Sequence, residues 1–294
     1  MNCPQKQLRI RPRSSCAINV RPPAKLNLYL NILGKYRNGF HRIESIVQRI
    51  DLTDELTISY RRRPGFDMRC NDKSLESESN LCLQAARLIT GHIGIKGGFR
   101  LDLIKHIPQG AGLGGGSSDA ASTLLGINSL LTLGLTQKEL YRLGARLGSD
   151  VNFFISQHSF AYLLGKGDNV IPLQFPAALD YCIVYPRLCL STRKIYELTK
   201  VKLTKFLDNA NIIYHALKHN DTLLLSQVMF NALEASAFVS SVRLQKHRAL
   251  LKNLGFTMSG SGSAFFKVLH RPKEYAELKM NLPKAWKVYR ARGL

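Results

Sequence analysis

The sequence predicts an α+β protein of two domains. Apolar and polar residues alternate at 24–33 and 99–103, which is typical of half-buried strands, and 42–58 contains two more strand-like runs with a break near Asp54. Segments with helical spacing of apolar residues lie between and after these strands. The chain has 294 residues, which suits two domains because a domain commonly has about 150 residues. We expect an N-terminal domain over 1–168 and a C-terminal domain over 169–294.

Each predicted element has a local signal. In the first strong strand, apolar residues recur at every second position from Leu26 to Ile32 and therefore share one face. Residues 80–89 place their apolar side chains on one stripe, which predicts a helix. Thr136 and Glu139 have the spacing of a capping box and predict the start of another helix.

Three further segments have a predicted local structure. The basic run at 61–63 is followed by Pro64-Gly65, which predicts the solvent-exposed tip of a hairpin. Residues 204–237 predict a mainly helical segment. Residues 255–269 predict a strand, a tight glycine turn and a second strand.

The charge of the chain favours anionic ligands. Lysine and arginine number 42, aspartate and glutamate number 20, and the formal net charge is +22. Such an excess favours phosphates, nucleotides or other anionic partners. The basic residues are spread along the chain, whereas an arm that binds nucleic acid usually carries a block of like charge. We therefore expect an anionic small molecule and no nucleic acid.

Several classes of protein are excluded by what the sequence lacks. It has no stretch of about 18 or more apolar residues, so we expect no membrane span. The 6 cysteines form no CxxC pair, which argues against a zinc ribbon or a thioredoxin-like site. Without a visible secretory signal they predict reduced thiols in a cytoplasm. The first residues are basic and lack acids, so an organelle transit peptide is an alternative to a short basic extension.

A glycine-rich segment at 108–121, PQGAGLGGGSSDAA, is the strongest functional signal. It lies between a predicted strand and a predicted helix, and its glycines permit positive φ and the close approach of a ligand. A helix N-terminus presents unpaired N–H groups that suit a phosphate. The GxxxxGK[ST] pattern fails because no lysine precedes the serines. The GxGxxG pattern is met at Gly110, Gly112 and Gly115, but a helix occupies the region where a dinucleotide fold needs an acidic residue at a strand end.

Three polar features have more than one interpretation from the residues alone. Lys25 interrupts the first strong strand, either as a charge on an edge strand or as a functional cation. Asp150 follows a helix end among small and apolar residues, either as a helix N-cap or as a base that orients a hydroxyl. The run MSGSGSAFF at 258–266 is either a plain hairpin turn or a second loop with a role in binding.

Three segments together resemble the GHMP kinase superfamily: PAKLNLYL at 23–30, PQGAGLGGGSSDAA at 108–121 and MSGSGSAFF at 258–266. The opening at 22–58 and GSDVNFF at 148–154 are similar to one branch of that superfamily. The resemblance implies two α+β lobes. The N-terminal lobe would resemble the second domain of ribosomal protein S5, and the C-terminal lobe would be ferredoxin-like.

The same branch implies an activity and a setting. Its members use ATP and Mg²⁺ to phosphorylate the 2-hydroxyl of 4-diphosphocytidyl-2-C-methyl-D-erythritol, a step of the non-mevalonate route to isoprenoid precursors. The resemblance therefore implies an enzyme of the bacterial cytoplasm, a monomer or a weak homodimer, with no membrane and no nucleic acid as partner.

The resemblance also implies roles for individual residues. Asp150 is implied to be the catalytic base and Lys25 its electrostatic partner, while Ser117 contacts the Mg²⁺ bound to ATP. The residues implied to lie around ATP are Asn80, Lys105, Pro108, Gly110, Gly112, Leu113, Gly114, Gly115, Gly116, Ser117 and Ser118. The residues implied to contact the cytidine substrate are Asn27, Phe40, His41, Thr192 and Tyr196. Phe40 and Tyr196 are implied to face the two sides of the cytosine ring.

The chain departs from that branch at two places. It has Asn-Gly-Phe-His at 38–41 where Asp-Gly-Tyr-His is usual, so the aromatic face is kept and the hydroxyl is lost. It has Lys166 and Asp168 where arginine and glutamate are usual. These departures affect the expected substrate contacts rather than the expected reaction.

Two alternatives come from different readings of the same features. A sister kinase of the mevalonate, homoserine or phosphomevalonate type would share the glycine-rich loop, but Phe40-His41 together with Tyr196 favours a cytidine pocket. An RNA-binding protein on an S5-like fold would suit the net charge. The spread of the charge and the presence of both Lys25 and Asp150 favour a kinase.

Overall fold

A computed structural model describes residues 16–176, 178–199 and 209–294. The strands are β1 (Cys16–Val20), β2 (Pro23–Lys35), β3 (His41–Thr53), β4 (Glu55–Arg61), β5 (Phe66–Cys70), β6 (Gly98–Ile104), β7 (Phe160–Gly165), β8 (Asn169–Leu173), β9 (Asp180–Tyr185), β10 (Phe230–Asn231), β11 (Thr257–Met258), β12 (Phe265–Val268) and β13 (Lys287–Arg292).

The α-helices are α1 (Leu81–Ile93), α2 (Gly115–Leu130), α3 (Gln137–Gly144), α4 (Val151–Ser156), α5 (Thr192–Leu198), α6 (Asn209–Lys218), α7 (Thr222–Val228), α8 (Glu234–Ser240), α9 (Val242–Gln245), α10 (Arg248–Asn253) and α11 (Glu274–Asn281). Among these described helices, none is long and apolar enough to cross a membrane.

The chain divides into two compact units whose segments alternate along the sequence. The first unit consists of Met1–Pro23, Thr53–Ile107 and Gly115–Gln157, of which residue 16 onward is described. The second unit consists of Ala24–Leu52, Pro108–Gly114 and His158–Leu294. The expected domains at 1–168 and 169–294 stay a prediction, and the compact units interleave rather than meet at one boundary.

The first unit is a four-stranded sheet covered by helices. The strand order is β1-β4-β6-β5, and β5 runs parallel to β6 while the other neighbours are antiparallel. Helix α2 contacts α1, α4 and the strands β1 and β4. Gly126 permits this close packing, because a Cβ there would lie 2.5 Å from the Cδ1 atom of Ile58. The helix that follows the glycine-rich loop is therefore fixed directly on the sheet.

The predicted hairpin tip after the basic run at 61–63 is wrong. Strand β6 lies between β4 and β5, so the connection crosses the start of β6 instead of joining paired neighbours. The N–H of Phe99 donates to the Gly65 carbonyl at 2.9 Å, and a Cβ on Gly98 would overlap that carbonyl oxygen. The Pro-Gly pair marks the turn correctly, but the identity of the paired strand is not a local property.

The second unit contains two sheets. The five-stranded sheet has the order β10-β2-β3-β7-β8, and the four-stranded sheet has the order β11-β12-β9-β13. One buried apolar cluster takes side chains from both sheets and from the helices of this unit, among them Leu30, Ile43, Val184, Leu244 and Phe265. The alternation predicted over 24–33 is confirmed as β2, whose residues are buried almost throughout.

Most of the other local predictions are confirmed. Helix α1 follows Asn80, β6 covers 99–103, and both bonds of the capping box between Thr136 and Glu139 are present. The segment 255–269 forms β11, a glycine turn and β12. The segment predicted as helical at 204–237 contains α6, α7 and most of α8, but β10 interrupts it. Residues 204–208 lie outside the described residues.

Candidate active site

The glycine-rich loop is bonded to the loop at 259–264 within the second unit. Ser259 is fully buried, and its Oγ donates to the carbonyl of Gly112 at 3.1 Å. The N–H of Ala264 donates to the carbonyl of Ala111 at 3.0 Å. The third motif is therefore a support for the glycine-rich loop, and the interpretation of it as a plain hairpin turn is incomplete.

The start of β2 joins the same assembly. The N–H of Lys25 donates to the carbonyl of Leu113 at 2.9 Å. The N–H of Asn27 donates to the Oγ of Ser259 at 3.3 Å. The three segments that carry the resemblance thus share one network of hydrogen bonds in the second unit, although each lies far from the others in the sequence.

The loop itself requires glycine at defined positions. Gly110, Gly112 and Gly114 have φ values of +60°, +76° and +73°, which is the left-handed region that glycine favours. A Cβ on Gly112 would overlap the carbonyl oxygen of Ser259, and a Cβ on Gly110 would overlap the Sγ of Cys189. Helix α2 begins at Gly115, so the loop leads directly to the unpaired N–H groups of a helix start.

The first turn of α2 suits an anionic group. It has no acidic residue, and it contains Ser117 and Ser118. Ser118 is fully buried, and its Oγ has no hydrogen-bond partner within the described chain. Buried hydroxyls are almost always paired, so an unpaired one calls for a ligand or a water. The buried hydroxyl and the helix start in the first unit therefore suit an anionic group.

Lys105 is engaged by two carboxylates inside the first unit. Its Nζ lies 2.7 Å from the Oδ2 of Asp119 and also contacts Asp54, and all three side chains are buried. Burial lowers the pKa of Lys105, but the two carboxylates outweigh it and the net pKa is raised. Burial raises the pKa of Asp119 to about 7. Neither aspartate was predicted, and the contact of Lys105 with the nucleotide stays a prediction.

Asn80 is the N-cap of α1. Its Oδ1 accepts from the N–H of Cys82 at 2.8 Å, and its Nδ2 donates to the carbonyl of Leu75 at 3.0 Å. This amide therefore fixes the start of a helix in the first unit. Its contact with the nucleotide stays a prediction.

Asp150 stands immediately before α4 with a helical backbone. Its carboxylate makes no capping hydrogen bond to the first turn of α4, all of which is described. Asp150 therefore occupies the N-cap position of α4, as one alternative expected, but its carboxylate does not cap the helix. Its role as a base stays a prediction.

Lys25 is buried rather than exposed at a sheet edge. Lys25 is 4% exposed, and its Nζ donates to the Oδ1 of Asn27 at 2.5 Å. The interpretation of Lys25 as a solvated charge on an edge strand is therefore wrong. The amide of Asn27 also donates to the Oγ of Ser45 at 2.8 Å, so this predicted substrate contact is part of a buried network.

The predicted substrate residues near β3 and α5 also lie in the second unit. Phe40 is 54% exposed, so a role as a core residue is excluded. The Nζ of Lys166 lies 4.5 Å from the centre of the Phe40 ring, so the two departures from the related branch contact each other. His41 and Tyr196 have ring centres 5.2 Å apart. Burial, with a contribution from Lys35, lowers the pKa of His41.

The position of Thr192 connects the substrate residues with the third motif. It is the first residue of α5, and its Oγ1 lies 2.8 Å from the Oγ of Ser261. The stacking of a cytosine between Phe40 and Tyr196 stays a prediction, and the ring of His41 lies beside that of Tyr196.

Asn231 was missed by the sequence analysis. It lies on β10, and its Nδ2 donates to the carbonyls of Met258 and Gly260 at 2.7 and 2.8 Å. Its Oδ1 accepts from the N–H of Leu233 at 2.9 Å. This amide therefore fixes the backbone on both sides of Ser259. The only local hint was a polar residue within an apolar run that was predicted as helix.

Comparison with known proteins assigns the chain to a family. Residues 80–158 match the GHMP kinases N terminal domain. The chain is 35% identical over 289 residues to the 4-diphosphocytidyl-2-C-methyl-D-erythritol kinase of Polynucleobacter necessarius subsp. necessarius, an alignment that covers 95% of this chain and 93% of the relative. The chain belongs to this kinase family.

Solved structures agree with that assignment. A crystal structure of 4-(cytidine 5'-diphospho)-2C-methyl-D-erythritol kinase has a TM-score of 0.75 and 28% identity over 94% of this chain and 98% of its own. The homoserine kinase of Cytophaga hutchinsonii has a TM-score of 0.74 and 18% identity over 95% of each chain, and shows the fold alone. The predicted fold class is confirmed as the GHMP kinase fold. The protein is an ATP-dependent small-molecule kinase.

We expect Gly112→Ala to weaken ATP binding by about five- to 150-fold, because the new Cβ forces the loop away from Ser259 at an overpacking cost of about 1–3 kcal/mol. Isothermal calorimetry of the folded variant measures this. Gly134→Ala is the matched control, since Gly134 has φ +69° and no described atom within 4 Å of its Cβ position. Equal ATP affinity in the two variants would contradict the assignment of the loop.

We expect Lys105→Met to lower the free energy of unfolding by about 3–5 kcal/mol, because it leaves two buried carboxylates without their cation. Urea unfolding measures this. Arg100→Met is the control, since Arg100 pairs with Asp102 at the surface, where removal of a partner costs about 0–1 kcal/mol. If both variants lose a similar free energy of unfolding, the buried cluster contributes no more to stability than the surface pair does.

Proposed function

We propose that the kinase transfers the γ-phosphoryl group of ATP to the 2-hydroxyl of 4-diphosphocytidyl-2-C-methyl-D-erythritol. The observation that carries the proposal is the identity of 35% over 95% of the chain with a relative of that name. The shared network of β2, the glycine-rich loop and the loop at 259–264 supports it, because each segment contributes a part of the expected site.

The phosphates of ATP are the proposed ligands of the glycine-rich loop and the start of α2. Backbone N–H groups in a left-handed glycine loop can converge on phosphate oxygens, and the positive end of the helix dipole favours the anion. Ser117, beside the unpaired hydroxyl of Ser118, is the proposed contact of the Mg²⁺ that accompanies ATP. That cation neutralises phosphate charge when it is bound.

Asp150 is the proposed base for the substrate hydroxyl. A carboxylate can take the hydroxyl proton as the bond to phosphorus forms. Lys25 is the proposed cation that stabilises the developing negative charge. The geometry of Lys25 suits that role, because a buried ammonium held by an amide oxygen is fixed in position before the substrate binds.

The cytidine part of the substrate is the proposed ligand of Phe40, His41, Thr192, Tyr196 and Asn27. Phe40 offers an exposed aromatic face. His41 has a lowered pKa and is therefore neutral at pH 7, so its ring nitrogens can serve as one donor and one acceptor. A bacterial cytoplasmic setting and a monomer or weak homodimer are part of the same proposal.

The alternative substrates of sister kinases are less well supported. The fold does not separate them, since the TM-scores of 0.75 and 0.74 are nearly equal. The sequence favours the cytidine substrate, since this chain is 28% identical to the cytidine-substrate kinase and 18% identical to the homoserine kinase.

The direct test is an ATP-consumption assay with the cytidine substrate, mevalonate and homoserine in parallel. We expect turnover with the cytidine substrate and a product whose phosphorus NMR spectrum shows one new phosphomonoester beside the diphosphate. A higher kcat/KM for mevalonate or homoserine would contradict the proposal.

We expect Asp150→Asn to lower kcat by about 10²- to 10⁴-fold while ATP affinity stays unchanged, because the amide cannot accept the hydroxyl proton. Single-turnover rates and calorimetry measure the two quantities. Asp221→Asn is the control: Asp221 caps α7 by accepting from the N–H of Leu224, and asparagine caps equally well. Turnover of Asp150→Asn within a few-fold of wild type would remove Asp150 from the mechanism.

We expect Phe40→Ala to raise KM for the cytidine substrate by about ten- to a hundred-fold, since stacking on a base contributes about 1–3 kcal/mol. KM for ATP should stay constant, and the Tm should change little because Phe40 is exposed. Phe40→Tyr keeps the ring and is the conservative control. An equal rise of both KM values would show that Phe40 acts through the fold instead.

A further inference from the structure

We propose that Ser45 is a positioning residue for the phosphoryl transfer, because it orients the amide of Asn27 so that the amide oxygen faces the ammonium of Lys25. The inference rests on the proposed function of Lys25. Ser45 lies on β3, within the opening that resembles the kinase branch, but the resemblance assigns it no role.

The first step is the direction of the Ser45 hydroxyl. Ser45 is fully buried, and its Oγ lies 2.5 Å from the main-chain carbonyl oxygen of Tyr29. A carbonyl oxygen accepts and cannot donate, so the single proton of the hydroxyl lies between these two atoms. The Oγ therefore presents only lone pairs to any other neighbour.

The second step is the direction of the Asn27 amide. Its Nδ2 lies 2.8 Å from the Oγ of Ser45, and its Oδ1 lies 2.5 Å from the Nζ of Lys25. A reversed amide would place an oxygen against the lone pairs of Ser45 and an N–H against the ammonium. Both contacts would then be repulsive, so the proton of Ser45 determines which end of the amide meets Lys25.

The third step is the isolation of this network from solvent. Lys25 is 4% exposed and Asn27 is 3% exposed. The backbone of Asn27 is also held, since its N–H donates to Ser259. Within a buried network a lost partner is poorly replaced by water, so the orientation of each group depends on the previous one.

The consequence concerns catalysis rather than stability alone. The ammonium of lysine is a point charge on a flexible four-carbon stem. Preorganised charge accelerates a reaction because it needs no reorganisation during the transfer. The chain from the Tyr29 carbonyl through Ser45 and Asn27 supplies that preorganisation to Lys25.

The test is steady-state kinetics of Ser45→Ala and Ser45→Thr with both substrates. We expect Ser45→Ala to lower kcat by about ten- to a hundred-fold, the size of effect that a misplacement of about 1 Å produces. KM for ATP should change by less than about three-fold, because the glycine-rich loop is unchanged, whereas KM for the cytidine substrate reports on the contact proposed for Asn27. Ser45→Thr keeps the hydroxyl and should restore most of the lost kcat.

The matched control is Thr90→Val in α1. Thr90 is buried, and its Oγ1 donates to the carbonyl of Ala86 at 2.6 Å, so the variant also removes a buried hydroxyl bonded to a main-chain carbonyl. We expect a lower Tm and an unchanged kcat. An unchanged kcat in Ser45→Ala, an equal loss in Thr90→Val, or a folded Ser45→Thr as slow as Ser45→Ala would overturn the proposal.

A readout that needs no turnover separates this proposal from the proposed function. Wild-type protein that transfers no phosphate to the cytidine substrate would refute the function alone. The side-chain amide protons of Asn27 in a proton–nitrogen NMR spectrum then decide the inference. We expect slow exchange with solvent in the wild type and Ser45→Thr, and fast exchange in Ser45→Ala. Fast exchange in the wild type would overturn it.

Discussion

The hydroxyl of Ser259 joins two segments that are distant in the sequence, and the proposed site depends on that joint. It donates to Gly112, 147 positions away, and accepts from the N–H of Asn27, 232 positions away. Free loops lose conformational entropy when they are ordered, at about 1–2 kcal/mol per residue. A glycine-rich loop loses the most, so it stays in one conformation only if buried bonds hold it.

Ser259 is itself held in place by a second buried side chain, that of Asn231. Asn231 donates to the carbonyls of the residues on either side of Ser259, and its own oxygen is occupied by the N–H of Leu233. The short strand β10 places this amide beside β2. The strand that carries Lys25 and the loop proposed to bind phosphate are thus fixed by the same buried polar groups. Both segments are therefore held in place before a ligand binds.

Both lysines implied by the resemblance have buried side-chain partners. Lys105 contacts two buried carboxylates, so its charge holds the end of β6 against α2 in the first unit. Those carboxylates lie 51 and 14 positions from Lys105, so spacing along the chain does not reveal them. Lys25 donates to the amide oxygen of Asn27 in the second unit.

The sequence predicted what is local. The strand over 24–33, the helix after Asn80 and the capping box at Thr136 depend on neighbours within a few residues, and they are confirmed. The hairpin expected after the basic run at 61–63 is wrong because pairing with β6 is not a local property. Ser45 and Asn231 were missed for the same reason: a polar residue in a strand or helix pattern gives no sign of a partner far along the chain.

Hydrogen exchange in Ser259→Ala, followed by mass spectrometry, tests the central claim most directly. If Ser259 holds the assembly, exchange should become faster at the amides of Lys25, Asn27 and Ala264, while the amides between β4 and β6 stay unchanged. ATP binding measured on the same variant should weaken. Unchanged exchange at those three amides, in a variant whose hydroxyl is gone, would contradict the account.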